Sequence, residues 1–110
     1  MKILDKYIFL NDFLTVERTK DAIKTEHGDA LGLAEIDFNK ITIALKINNK
    51  RLTEQKEAET FLHEIMHNVS AAAQLSLTER QIGVLSRMLL YFLRENKVNL
   101  LDTKQYKCDR

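Results

Sequence analysis

The sequence predicts an α+β domain: a small antiparallel sheet of about three strands packed on a pair of α-helices. Residues before position 50 are rich in β-branched and aromatic types, whereas those after it carry apolar residues at spacings of three and four. A chain of 110 residues has room for one hydrophobic core but not two. Its 45% hydrophobic and 30% charged content, without a repeat or a long polar run, suits a globular domain rather than a disordered or fibrous one. The expected organisation is a single domain over residues 1–96 and a polar tail over 97–110.

The first strand signals are Tyr7-Ile8-Phe9-Leu10 and Phe13-Leu14-Thr15-Val16-Glu17-Arg18, which suggest one strand or a short hairpin around Asn11-Asp12. Residues 19–30, with Glu26-His27-Gly28-Asp29 inside them, read as a polar connection. Residues 31–38 and 41–47 alternate or run apolar on either side of Asn39-Lys40, the pattern of an antiparallel hairpin. Asn48-Asn49-Lys50 closes the strand region. A helix follows over roughly 53–74, with Ala58, Phe61, Leu62, Ile65, Met66 and Val69 on its buried stripe. Glu54, Glu57 and Glu59 in its first turns complement the positive helix end. Thr78-Glu79-Arg80-Gln81 has the spacing of a capping box and opens a second helix. Its apolar face is Ile82, Leu85, Met88, Leu89, Phe92 and Leu93, and Asn96 is its expected left-handed stop.

Charge and cysteine content exclude several classes of function. A net charge of +1 provides no global field for nucleic acid or an anionic membrane. The densest basic cluster, Lys97, Lys104, Lys107 and Arg110, is diluted by Asp102 and Asp109 and has no stacking motif, so it reads as solvated tail. The single cysteine, Cys108, cannot form an intramolecular disulfide, and two residues follow it rather than the three of a prenylation box, which suits a reducing cytoplasm. Neither a signal peptide nor a transmembrane span is read, because charges interrupt each apolar stretch.

The chemistry lies in His63-Glu64-Ile65-Met66-His67, an H-E-x-x-H motif in the middle of the first predicted helix. At helical spacing the two histidines project about 40° apart and one turn along the axis, so both imidazoles reach one zinc ion. Glu64 lies about 60° around the helix from His67, beside the metal without ligating it. There it can take a proton from a water activated at the metal and return it to a leaving amine. The bland alternative is a pair of histidines decorating an exposed helix face.

A catalytic zinc needs a third protein ligand and an open position. The candidates are His27, Asp102, Cys108, Glu95 and Glu79. Glu79 is the best placed, since it opens the second helix and an antiparallel pairing returns it toward His67. Gly83 and Ser86 follow at four and seven residues and make that face small enough for close approach to the histidine helix. Tyr91, Met66 and Met88 read as core or helix contacts, and Asn68 as either a surface amide or a support for the motif. No residue is assigned to the oxyanion; Tyr91 is too far along its helix, and His27 or Tyr7 could approach only through the fold.

Leu31-Gly32-Leu33-Ala34-Glu35-Ile36-Asp37, Ile41-Thr42-Ile43, Glu59-Thr60-Phe61-Leu62-His63-Glu64-Ile65-Met66-His67, and Leu77-Thr78-Glu79 through Leu93-Arg94-Glu95-Asn96 resemble the small ImmA/IrrE-like zinc metallopeptidases, minimal versions of which are often carried by phages and prophages. The resemblance covers roughly residues 13–96 and is more specific in its order of elements than the five-residue motif alone. It implies a minimal zincin-like, gluzincin-type fold in which His63, His67 and Glu79 bind Zn2+ and Glu64 is the general base. It also implies an edge strand along which an extended peptide lies, here residues 31–37 or 41–45, with Gly32, Leu33 and Ala34 as substrate-binding positions. The partner it implies is a protein or peptide substrate, a transcriptional repressor among the candidates. A monomer or weak oligomer is expected, and the near-neutral charge and lack of an apolar span predict no direct nucleic-acid or membrane binding. A zinc-stabilised interaction module without catalysis is the competing expectation.

Overall fold

The computed structural model describes residues 3–96, so the expected tail at 97–110 lies outside the described residues. Strand β1 (Lys6–Phe9) pairs antiparallel with β2 (Asp12–Thr19). The chain turns at Leu10 and Asn11, both left-handed with φ of 52° and 67°. Two such residues give a turn whose twist matches the flanking strands. The turn falls one residue before the expected Asn11-Asp12 because Asp12 already pairs with Phe9.

The expected connection over 19–30 contains a second hairpin, β3 (Ile23–Thr25) and β4 (Gly28–Ala30). Gly28, with φ of 106°, takes the conformation that a side chain disfavours. Three-residue strands of mixed polarity carry no alternation to read, which is why the pattern missed them. Strand β5 (Gly32–Glu35) runs antiparallel to β6 (Lys40–Ala44), as the sequence pattern expects, but a 3-10 turn at Ile36–Phe38 separates them. Left-handed Asn39, with φ of 48°, ends that turn. A last hairpin, β7 (Lys46–Ile47) and β8 (Lys50–Arg51), folds about Asn48 and Asn49, where the sequence reading placed only the end of the strand region.

The main sheet has four strands in the order β1-β2-β6-β5, and β2 and β6 are parallel. It is therefore mixed, not an antiparallel sheet of about three strands. The inserted β3–β4 hairpin and β5 carry the chain back so that β6 enters beside β2 in the same direction. Ile41, Thr42, Ile43 and Ala44 are all buried. An unbroken buried run marks a strand covered on both faces, which leans toward parallel pairing, but it does not name the neighbouring strand.

Helix α1 (Glu54–Ala72) begins at Thr53, whose side chain accepts the Lys56 N–H at 3.1 Å. It ends two residues short of the expected Gln74. Gln74 is left-handed, with φ of 56°. The Gln74 N–H donates to the Ala71 carbonyl at 3.2 Å and the Leu75 N–H to the Ser70 carbonyl at 2.8 Å. Those two bonds make a Schellman closure, the commonest way to satisfy terminal carbonyls. Helix α2 (Glu79–Glu95) starts with the expected capping box: Thr78 accepts from the Gln81 N–H at 3.1 Å, and Gln81 accepts from the Thr78 N–H at 2.8 Å. Asn96 at its end has φ of −95° and is not left-handed.

Helix α1 lies across β5 and β6, and α2 packs on α1. Leu14, Val16, Ile41 and Ile43 from the sheet meet Ala58, Phe61 and Leu62 of α1 and Leu90 and Leu93 of α2 in one core. Tyr7 stacks on Phe61 with ring centroids 5.3 Å apart. The expected face of α2 is only partly the buried one. Ile82 and Leu93 are buried, together with Ser86 and Leu90, whereas Leu85, Met88, Leu89 and Phe92 are exposed. Ser86 is at the helix contact, but no heavy atom lies within 4 Å of a Cβ built on Gly83, so close approach does not explain that glycine. Met88 and Tyr91 are surface residues rather than core, and Met66 is half-buried.

The left-handed Gln74 gives a direct test of the turn that joins the helices. Gln74→Gly removes the side-chain penalty at that φ and is expected to raise stability by about 0.5–1 kcal/mol. Urea unfolding followed by circular dichroism should show a higher midpoint with an unchanged slope.

Candidate metal centre

His63 and His67 project from one face of α1, one turn apart, with ring centroids separated by 5.1 Å. The six-residue connection from Ala73 to Thr78 reverses the chain and sets Glu79, the first residue of α2, opposite both rings. One Glu79 carboxylate oxygen lies 3.0 Å from His63 Nε2, and the other lies 2.8 Å from His67 Nε2. The three side chains thus present ligand atoms all within 4.8 Å of one another, and the group could hold a metal ion. Both histidines are about a quarter exposed and Glu79 largely so, which leaves an approach from solvent.

Glu64 sits on the sheet side of α1 and is buried, at 8% exposure. Burial pushes its carboxyl up to about 7 from an ordinary 4.5; the negative Glu79 adds to this, and a hydrogen bond donated by the Ala34 N–H opposes it. That bond follows from the register of β5. The Ala44 N–H donates to the Leu31 carbonyl at 2.8 Å, so alternate residues of the strand face β6 and Ala34 directs its N–H to the free edge. Strand β5 is the edge of the sheet and β6 is interior, which decides between the two strands that the sequence left open.

Gly32 explains how α1 comes so near this edge. A Cβ at that position would lie 2.7 Å from Thr60 Cγ2 and 2.9 Å from Glu64 Cγ and Oε2. Only a residue without a side chain admits the helix at that distance, so Gly32 acts on the site through packing.

An open cleft of about 680 Å³ runs along this arrangement. Lys56, Glu59, Thr60, His63, Glu64 and His67 form its α1 wall, with Glu79 at one end. Gly32, Leu33 and Ala34 of β5 line the opposite wall, and the β3–β4 hairpin adds Thr25, His27, Asp29 and Ala30. The three expected substrate-binding positions therefore all border the cleft. His27 reaches the cleft but is not in the ligand group, and Glu95 closes the far end of α2. Tyr7 is committed to the core beside Phe61 and Tyr91 is on the outer face of α2, so neither approaches the site. Asp102 and Cys108 lie outside the described residues.

Three features escaped the sequence reading: the Ala34 N–H on Glu64, the hairpin that brings His27 to the cleft, and the burial of Asn68. Asn68 is 2% exposed and its side-chain amide donates to the Glu64 carbonyl at 3.4 Å, so it is not a surface residue. A glycine interrupting an apolar strand was the one readable sign, since it marks close backbone approach. Comparison with protein-family models, with curated proteins and with solved structures finds no match to this chain.

Two outcomes are expected from this geometry. Gly32→Ala forces apart a strand and a helix joined by the stiff Thr60 side chain, and should cost about 1–3 kcal/mol of stability by urea unfolding. Glu64 should also give the metal-free chain a distinctive pH dependence. Below about pH 4.5 its carboxyl is protonated whether folded or not, whereas above about 7 folding must bury the anion. Its contribution to stability is therefore full at low pH and falls by about 3 kcal/mol as pH rises through that window. Measured as the difference from Glu64→Gln, the loss should be present without metal; a flat difference across pH 4.5–7 would refute it.

Proposed function

We propose that this chain is a zinc-dependent metallopeptidase of the ImmA/IrrE-like kind, acting on a protein or peptide substrate in the cytoplasm. The observation that carries the reading is the meeting of His63, His67 and Glu79 on one side of α1, with the buried Glu64 carboxylate beside them in a cleft bounded by a sheet edge. Two imidazoles and a carboxylate form a donor set suited to zinc, with room left for an exchangeable ligand. The absence of a membrane-spanning helix among the described residues is compatible with this reading.

Zinc, when bound, supplies Lewis-acid polarisation of the scissile carbonyl and lowers the pKa of a water. The remaining work belongs to the chain. Glu64 takes the proton of the attacking water and delivers it to the amine nitrogen as the C–N bond breaks. The Ala34 N–H and the packing against Gly32 hold the carboxylate toward the cleft, which limits the positions from which it can act. An extended peptide adds to the free edge of β5, where the main chain of Gly32 and the Ala34 carbonyl are directed outward, the Ala34 N–H being taken by Glu64, and Leu33 contributes to the wall. Helix-turn-helix repressors are the first substrate class to test, on the strength of the family resemblance alone.

Glu64→Gln should retain metal, measured per chain by mass spectrometry, and lose about 100- to 10,000-fold in peptide-bond hydrolysis. His63→Ala should lose the metal, and Glu79→Ala should bind it more weakly. Wild-type turnover in Glu64→Gln would remove the general-base role. Metal retention without any Glu64-dependent cleavage of a peptide pool would favour the zinc-stabilised interaction module instead.

A further inference from the structure

We propose that the outer face of α2 is a self-association surface that pairs two copies of this chain antiparallel about Met88. Val84, Leu85, Met88, Tyr91 and Phe92 share this face and are between 41% and 61% exposed. At helical spacing they fall within about 60° on either side of Met88. A continuous apolar stripe of a few hundred Å² is the size of patch that often serves as an interaction site on a globular chain.

The five central positions of the stripe are apolar on both sides of Met88, which suits a second copy of the chain as the occupant, with Leu89 and Arg87 flanking the seam. Leu85 and Tyr91 lie three residues either side of Met88, Val84 and Phe92 four, and Gln81 and Glu95 seven. A two-fold axis at Met88 therefore sets Val84 against Phe92 of the second copy, Leu85 against Tyr91, and Met88 against itself. The seven-residue period is the one that lets two helices interdigitate along a seam. The ends also match. The Gln81 side-chain oxygen is occupied by the Thr78 N–H at 2.8 Å, which leaves its amide hydrogens to donate. Opposite them the pairing places the acceptor carboxylate of Glu95, so donor meets acceptor at both ends of the seam.

The available area is adequate for reversible pairing. Aromatic side chains carry roughly 150–250 Å² each and aliphatic ones somewhat less, so the five offer at most on the order of 450 Å² per copy at their observed exposure when fully covered. With Gln81 and Glu95 included, a pair buries at most about 1,000 Å² in total, the lower bound for a specific interface. Glu79 lies about 180° around the helix from Met88, so pairing leaves the cleft open and does not depend on metal.

Sedimentation equilibrium of the full chain, from micromolar to millimolar concentration and with or without chelator, is the test. The expected result is a reversible rise toward twice the 12.8 kDa chain mass. Met88→Glu and Phe92→Glu should each raise the dissociation constant about 100-fold or more, since each is doubled by symmetry, while leaving the far-ultraviolet circular dichroism and the metal content unchanged. Met88→Cys combined with Cys108→Ser should form an interchain disulfide with oxidised glutathione, and Arg94→Cys in the same background should not. A wild type that stays monomeric overturns the proposal, as do glutamate variants that remain dimeric. A monomer with its α2 face protected from labelling would assign the face to residues 97–110, and an unprotected monomer to a foreign protein; either outcome rejects self-pairing.

Discussion

The contact between α1 and the edge strand at Gly32 is the constraint from which the site is built. Where a Cβ would meet Thr60 and Glu64 at under 3 Å, the missing side chain lets the helix sit against the strand and carries Glu64 under the sheet edge. The same closeness delivers the Ala34 N–H to that carboxylate. With Glu64 so fixed, helical periodicity leaves no freedom for His63 and His67, which must project along the adjoining face of α1 toward solvent. One packing contact thus orients three chemical groups.

The arrangement is electrostatically costly without a cation. Glu64 is buried with an anionic neighbour in Glu79, and both influences favour its protonated form. A positive charge among His63, His67 and Glu79 would act in the opposite sense and favour the carboxylate. Perturbed carboxyls beside a cleft often mark functional sites. Here the perturbed group coincides with a group of side chains that could hold a metal ion and with an open sheet edge.

The roll of α2 about its axis connects the site to the surface. Glu79, Ile82, Ser86, Leu90 and Leu93 share one side of that helix, and this side faces α1. Turning the carboxylate toward the two histidines therefore buries Ser86 and directs the larger apolar stripe around Met88 outward.

Local chemistry made much of this legible from the residues alone. The H-E-x-x-H spacing, the Thr78 capping box, the Thr53 start and the α+β order of elements each depend on neighbours within about one helical turn or on short-range alternation. Glu79 was reachable by the same route, because a short turn between helices leaves few places for its side chain. The parallel pairing of β2 with β6, the β3–β4 hairpin and the outward face of α2 depend on long-range partners. A buried run such as Ile41-Thr42-Ile43-Ala44 specifies burial but not which strand is its neighbour, and an apolar stripe specifies amphipathicity but not which competing face the core accepts. Those choices were made by the tertiary structure, because strand pairing and helix burial are settled by partners distant in sequence, among them α1 against Gly32 and α2 against α1.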